Sequence, residues 1–357
     1  MLDFRQRVLN SFKNCTKKII PYALSLTVSS QRRSYAGIAK SLDVDYDCFY
    51  DYIKTINESS DILRQEFISK VKKYQTEANK GLIIFDFTRL EKSKDAQTPM
   101  TTWDRDGRIN KVNNGFSIGF CVWTNGAITI PLAHCFWINK KSANESYISK
   151  KELAKYIIKD IKQDLEIDEV LVDGEFATHN MMDFFAEEGI HFTARIAANR
   201  NVITREGLKG QLKKHQSLRL RKNEKSRTIV ALYGNRFYNF TAVKQTTRGG
   251  KKKIVFIVST KDRPSKDHVK TYALRWSIEK FFRTAKQSLG LEDCQAQKID
   301  RIINHINAVM LVFIALEETK FAKKKRSPEA ILGIIKSKNV NNKYHSYADL
   351  VETYATF

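Results

Sequence analysis

If residues 272–286, Tyr-Ala-Leu-Arg-Trp-Ser-Ile-Glu-Lys-Phe-Phe-Arg-Thr-Ala-Lys, form a helix, they place four chemically distinct polar groups on one edge. At about 100° per residue, Tyr272, Arg275, Glu279 and Lys286 fall within an arc of roughly 60°. Leu274, Ile278, Phe281, Phe282, Ala285 and Leu289 make an apolar stripe beside them. A carboxylate among two cations and a phenol could hold a divalent metal while the cations and hydroxyl grip phosphates, the equipment of phosphodiester chemistry. A solvated helix face gives the same charge spacing, so the helix alone does not decide.

Two aspartates upstream each end an apolar run. Leu82-Ile-Ile-Phe-Asp86-Phe-Thr88 and Glu169-Val-Leu-Val-Asp173-Gly-Glu175-Phe176 both read as short buried strands finishing on a carboxylate. An unpaired acid in a dry site costs several kcal/mol, on the order of what folding can spare. It therefore needs a metal, a cation or solvent. Either Asp alone reads as an ordinary strand-end residue; the conjunction with the helix points to chemistry.

Asp86 with Thr88, Asp173-Gly174, and Tyr272-x2-Arg275-x3-Glu279-x6-Lys286 together resemble the signature of the DDE transposases of bacterial insertion sequences, in the IS-four type marked by a Y-R-E-K helix. The resemblance runs from about residue 81 to about 290. It implies an RNase H-like fold in which Asp86, Asp173 and Glu279 are the catalytic carboxylates and hold two Mg2+ or Mn2+ ions. It implies that Tyr272, Arg275 and Lys286, with Arg283 beside them, contact DNA phosphates. The expected activity is DNA transposition: binding terminal inverted repeats, cutting the transposon ends and joining the 3′-hydroxyl to target DNA, in a homodimeric synaptic complex. An RNase H-like DNA endonuclease without strand transfer would share every carboxylate, and a transposase-derived DNA-binding regulator would keep the basic surface.

Charge agrees with a nucleic-acid partner. The chain has 62 Lys and Arg against 39 Asp and Glu, a formal charge of +23, which favours polyanions. The stretch 81–194, which carries both aspartates, is net acidic, whereas residues 195–262 hold eighteen Lys and Arg against three Asp and Glu. A carboxylate pocket flanked by a basic surface is the distribution a metal-assisted DNA enzyme needs.

The elements that must position these groups read as mixed α/β. Residues 1–80 are expected to be helical, with a helix-turn-helix-like DNA-binding region around Ser34–Ile53, in which Ala36 and Ala39 allow close crossing, Leu42 and Val44 plug the joint, and Arg32, Arg33 and Lys40 supply phosphate contacts. Asp45, Asp47 and Asp51 on its second helix oppose that role. Residues 81–195 give the first part of the core: the Asp86 strand, strands near 115–124 and 127–137 joined at Asn125-Gly126, a helix over 145–165, the Asp173 strand, a helix over 178–188 and a strand at 190–195.

Residues 196–262 read as a basic β-rich insertion with strands at 227–233, 237–243 and 253–259, whose Arg248, Lys251, Lys252 and Lys253 are candidate DNA contacts. Residues 263–322 complete the core with the Y-R-E-K helix and an amphipathic helix from Ile299. Residues 323–357 are a basic tail able to contact DNA or a second copy.

Other chemistries lack motifs. Cys15, Cys48, Cys121, Cys135 and Cys294 show neither CxxC nor CxxH spacing, so a reduced, cytoplasmic protein is expected. His134, His179, His191, His268 and His305 form no HxE or HExxH pattern and read as core or surface residues. There is no GxGxxG, Walker A sequence or run of 18 apolar residues, and no membrane partner is expected.

Overall fold

Alternating apolar runs and amphipathic stretches build one large mixed sheet with helices packed on it. The computed structural model describes residues 19–28, 33–42, 45–56, 60–94, 98–106, 111–143, 146–246, 249–324 and 327–339. Arg32, Val44, Arg248 and the tail beyond residue 339 lie outside them.

Eleven strands among the described residues share the sheet: β1 (Leu82–Glu91), β2 (Thr102–Asp106), β3 (Lys111–Thr124), β4 (Thr129–Trp137), β5 (Glu169–Val172), β6 (Phe192–Ile196), β7 (Asn201–Thr204), β8 (Lys209–Gln211), β9 (Ser226–Tyr233), β10 (Arg236–Thr246) and β11 (Lys252–Ser259). The spatial order is β2-β3-β1-β5-β6-β11-β10-β9-β7-β8, with β4 also paired to β3. β1 pairs antiparallel with β3 and parallel with β5, and β5 is parallel to β6. The basic strands β7–β11 continue this same sheet rather than forming a second one.

The β3–β4 turn is built by Asn125-Gly126. The Asn125 side chain accepts the Ala127 and Ile128 amides, each at 3.1 Å, and Gly126 takes a φ of +89° that favours glycine.

The helices of eight residues or more among those described are α1 (Ile19–Val28), α2 (Tyr35–Leu42), α3 (Tyr46–Thr55), α4 (Ser60–Tyr74), α5 (Lys150–Asp164), α6 (His179–Glu187), α7 (Ser265–Ala273), α8 (Trp276–Arg283), α9 (Ile299–Ala322) and α10 (Pro328–Asn339). Helix α9 is long and apolar enough to cross a membrane by length and composition, but most of it is buried inside the fold.

Helix α1 packs on α9, and this ties the N-terminal helices to the core. The Tyr22 hydroxyl meets Nδ1 of His305 at 2.6 Å, and Nε2 of His305 meets the Gly290 carbonyl at 2.9 Å. Gly290 has φ +74°, and a Cβ there would lie 2.4 Å from Cβ of Arg33, so only glycine fits this approach.

Helices α2 and α3 pack on each other, with Asp45 capping α3 through the Asp47 and Cys48 amides. Tyr35, Ile38, Ala39 and Leu42 are buried, while Ala36 faces solvent. Asp45, Asp47 and Asp51 are exposed, so this face of α3 is one that phosphates repel.

Candidate active site

The parallel pairing of β1 with β5 aligns Phe85 with Val172. The next residues, Asp86 and Asp173, therefore stand side by side at one level of the sheet, on strands about 4.8 Å apart. Asp86 lies mid-strand and its side chain accepts the Phe87 amide at 2.8 Å. Asp173 directly follows β5 and caps a 3₁₀ turn, Gly174–Phe176, by accepting the Gly174 amide.

Glu279 reaches this level through aromatic packing. Phe120 is the cross-strand partner of Asp86, and directly opposed residues share a face of the sheet. The rings of Phe281 and Phe282 lie 5.2 and 5.8 Å from that of Phe120, and Phe281 also meets Phe313 of α9 at 4.9 Å. Burying each such side chain contributes about 1.5–3 kcal/mol, which seats α8 against β3 and delivers its polar edge to Asp86.

The residues from 265 to 288 are not one continuous helix. The α-helical ladder breaks at Leu274–Arg275, where the Leu274 and Arg275 amides bond three residues back to Thr271 and Tyr272, and α8 ends in a π-helical turn over Thr284–Ser288. Such irregular turns often mark functional positions. The break leaves Arg275 at the start of α8, facing both the sheet and Glu279.

One guanidinium joins two of the carboxylates: Nη1 of Arg275 donates to Oδ2 of Asp86 at 2.9 Å and Nη2 to Oε1 of Glu279 at 3.1 Å. The side chains of Arg275, Asp86 and Glu279 are 14%, 18% and 36% exposed. Burial raises the Asp86 pKa to about 7; Arg275 opposes the rise, and Asp173 and Glu279 add to it. The mutual repulsion places all three carboxylates within electrostatic reach. Burial likewise raises Tyr272 to about 12, with Asp173 adding to the rise and Arg275 and Arg195 opposing it. The Tyr272 ring lies 6.0 Å from the Arg275 guanidinium.

Lys286 sits in the π turn and points inward. Its Nζ donates to the Arg89 carbonyl at 2.5 Å and pairs with Glu292 at 2.9 Å. Arg283 is more than half exposed and lies 4.0 Å from Glu329. Arg33 is buried: its amide bonds Asp293 and its Nε the Leu26 carbonyl, so it faces the fold and not a phosphate. Lys40 is exposed on α2.

The basic hairpin stands at the same end of the sheet as the carboxylates. Asp173 is level with Arg195, which pairs with Ile257, which pairs with Thr241. From there β10 runs five more residues to Thr246, roughly 16 Å along the strand, before pairing with Lys252. Lys251, Lys252 and Lys253 are exposed at that tip, and Lys244 reaches back to the Arg221 and Lys222 carbonyls beside it.

Sequence reasoning missed Arg195 beside Tyr272, Glu292 on Lys286 and the exposed Trp276 that follows Arg275. Arg195 and Glu292 carry no local pattern; Trp276 could have been singled out as an aromatic interrupting a polar edge.

The donor chemistry suits a hard divalent cation, since carboxylate oxygens bind Mg2+ and Mn2+ well. Among the described residues, however, no three carboxylate, imidazole or thiol groups are gathered closely enough to hold a metal. Two of the acids are instead paired to Arg275.

Residues 145–315 match the family described as Transposase DDE domain. The match supports a DDE transposase. It takes in Asp173, Tyr272, Arg275, Glu279 and Lys286 and begins downstream of Asp86. No curated protein matches the chain.

Proposed function

We propose that this protein is the DNA transposase of an insertion sequence, which binds terminal inverted repeats, cuts the element's ends and joins the freed 3′-hydroxyl to target DNA. The observation that carries the reading is the meeting of Asp86 and Glu279, 193 positions apart in sequence, on one guanidinium, with Asp173 at the neighbouring strand end. The run β4-β3-β1-β5-β6, three antiparallel strands followed by two parallel ones, supports an RNase H-like core.

In this reading Asp86, Asp173 and Glu279 would hold Mg2+ or Mn2+, which supplies activation of the attacking water or 3′-hydroxyl and stabilisation of the leaving oxygen. The chain's own residues orient the DNA. Arg275 offers a planar fork suited to two phosphate oxygens, and the half-buried Tyr272 hydroxyl stays protonated as a donor at neutral pH. Lys286 would reach a phosphate by leaving Arg89 and Glu292. The exposed lysines of the β10–β11 tip would track the duplex backbone.

Two ends must be held together for joining, so the working form is a homodimer on DNA, acting in the cytoplasm. The test is a joining assay: the full chain, Mg2+, a duplex carrying the DNA that flanks the coding region, and a supercoiled target plasmid. Covalent end-to-plasmid products support transposition, whereas cutting with no joined product would identify an endonuclease and end the transposase reading.

A further inference from the structure

We infer that Arg275 is a metal-displaced switch: it occupies oxygens of Asp86 and Glu279 until a divalent cation takes them, and the freed guanidinium then grips a phosphate of the DNA end. The inference rests on the transposase reading and adds an order of events to it. Three observations carry it.

The first is the two-handed geometry. Separate terminal nitrogens, Nη1 and Nη2, hold separate carboxylates at 2.9 and 3.1 Å, so the guanidinium lies between the two groups and prevents them from sharing a small cation.

The second is charge. A single delocalised positive charge faces Asp86, Glu279 and Asp173, leaving the cluster net negative. A divalent ion neutralises more of it and prefers the same hard oxygens, while a guanidinium and a divalent ion held by the same carboxylates repel each other. The stronger competitor expels the weaker.

The third is mobility of the right kind. Arg275 stands at the break between α7 and α8, with its backbone fixed by short-range bonds to Tyr272 and from Ile278. Its side chain can therefore leave by rotation about single bonds while α8, clamped by Phe281 and Phe282, stays in place. The exposed side of Glu279 is the direction from which DNA can meet it. A released, partly desolvated guanidinium needs an anion, and a DNA phosphate accepts its fork in a bidentate pair. Metal binding and end binding then reinforce each other, and such coupling is reciprocal.

The test measures Mn2+ affinity of the full chain without DNA at fixed pH, from the free-ion electron paramagnetic resonance signal, for wild type, Arg275→Ala and Arg275→Lys. The switch predicts that Arg275→Ala binds Mn2+ on the order of tenfold more tightly than wild type. Arg275→Lys should also bind several-fold more tightly, because a lysine keeps the charge but cannot bridge both carboxylates. Arg275→Lys carries the comparison should the alanine variant fail to fold. An unchanged affinity in Arg275→Lys would reduce the role of Arg275 to bulk charge and overturn the switch. Weaker binding in either variant would make Arg275 a scaffold for the metal ligands and overturn it equally. Neither readout depends on cleavage, so failure of the transposase reading would show itself separately, in the joining assay.

Discussion

Arg275 and Asp86 lie 189 positions apart in sequence and meet in an ion pair of 2.9 Å at the centre of the sheet's acidic end. Removing the guanidinium takes the counter-charge from Asp86, which is only 18% exposed, so the chain must either hold an unpaired carboxylate there or bind a proton on folding. Arg275→Ala is therefore expected to lower the stability of the metal-free chain by about 2–3 kcal/mol. Urea unfolding in the presence of a chelator measures this; a midpoint equal to wild type would mean that the pair contributes nothing to folding.

Asp86 also sets a pH dependence. Its folded pKa of about 7 exceeds the ordinary carboxylate value of about 4. Between those values the folded chain binds a proton that the unfolded chain lacks, so stability falls as pH rises through this window. Asp86→Asn removes the titration. Without metal, the stability of this variant relative to wild type should grow by up to about 4 kcal/mol from pH 4 to pH 8. The same difference at both ends would contradict the raised pKa.

The hairpin tip is expected to act through phosphate contacts. Reversing the charge of Lys251, Lys252 and Lys253 should weaken duplex binding and flatten its salt dependence, by roughly 0.9 in log–log slope for each phosphate no longer neutralised. Sequence preference should stay the same. If a salt titration gives the wild-type slope, the tip points away from bound DNA.

Arg33 provides the contrasting case. It is buried against Gly290, with its amide on Asp293 and Nε on the Leu26 carbonyl. Arg33→Ala should cost about 1–2 kcal/mol of stability through poorer packing and the missing hydrogen bond while leaving the salt slope of DNA binding unchanged. A slope flattened by the equivalent of one phosphate in a folded variant would restore Arg33 to the DNA surface.

Strands β1 and β5 were legible in the sequence because the apolar runs leading to Asp86 and Asp173 demand burial, and Asn125-Gly126 announced its hairpin; the end of β1 was not, since the strand continues past Asp86 to Glu91. The apolar stripe through Phe281 and Phe282 gave the buried face of α8. The break at Leu274–Arg275 and the π turn holding Lys286 were not legible, because a continuous helical period describes that segment equally well. Arg33 looked like a phosphate contact because its partners, Leu26 and Asp293, are tertiary, and charge alone does not say which way a side chain faces. That the basic strands extend the core sheet was equally hidden, since alternation reports strands but not their neighbours.

The central claim is that Asp86, Asp173 and Glu279 form one catalytic set. Its most direct test is Mg2+-dependent cleavage of a terminal-repeat duplex by Asp86→Ala, Asp173→Ala and Glu279→Ala, with duplex binding followed in parallel. Each variant is expected to lose cleavage while retaining binding, because in the proposed reading each would remove a metal ligand and no phosphate contact. Near-wild-type cleavage by any one of the three would contradict the claim and remove that residue from the set.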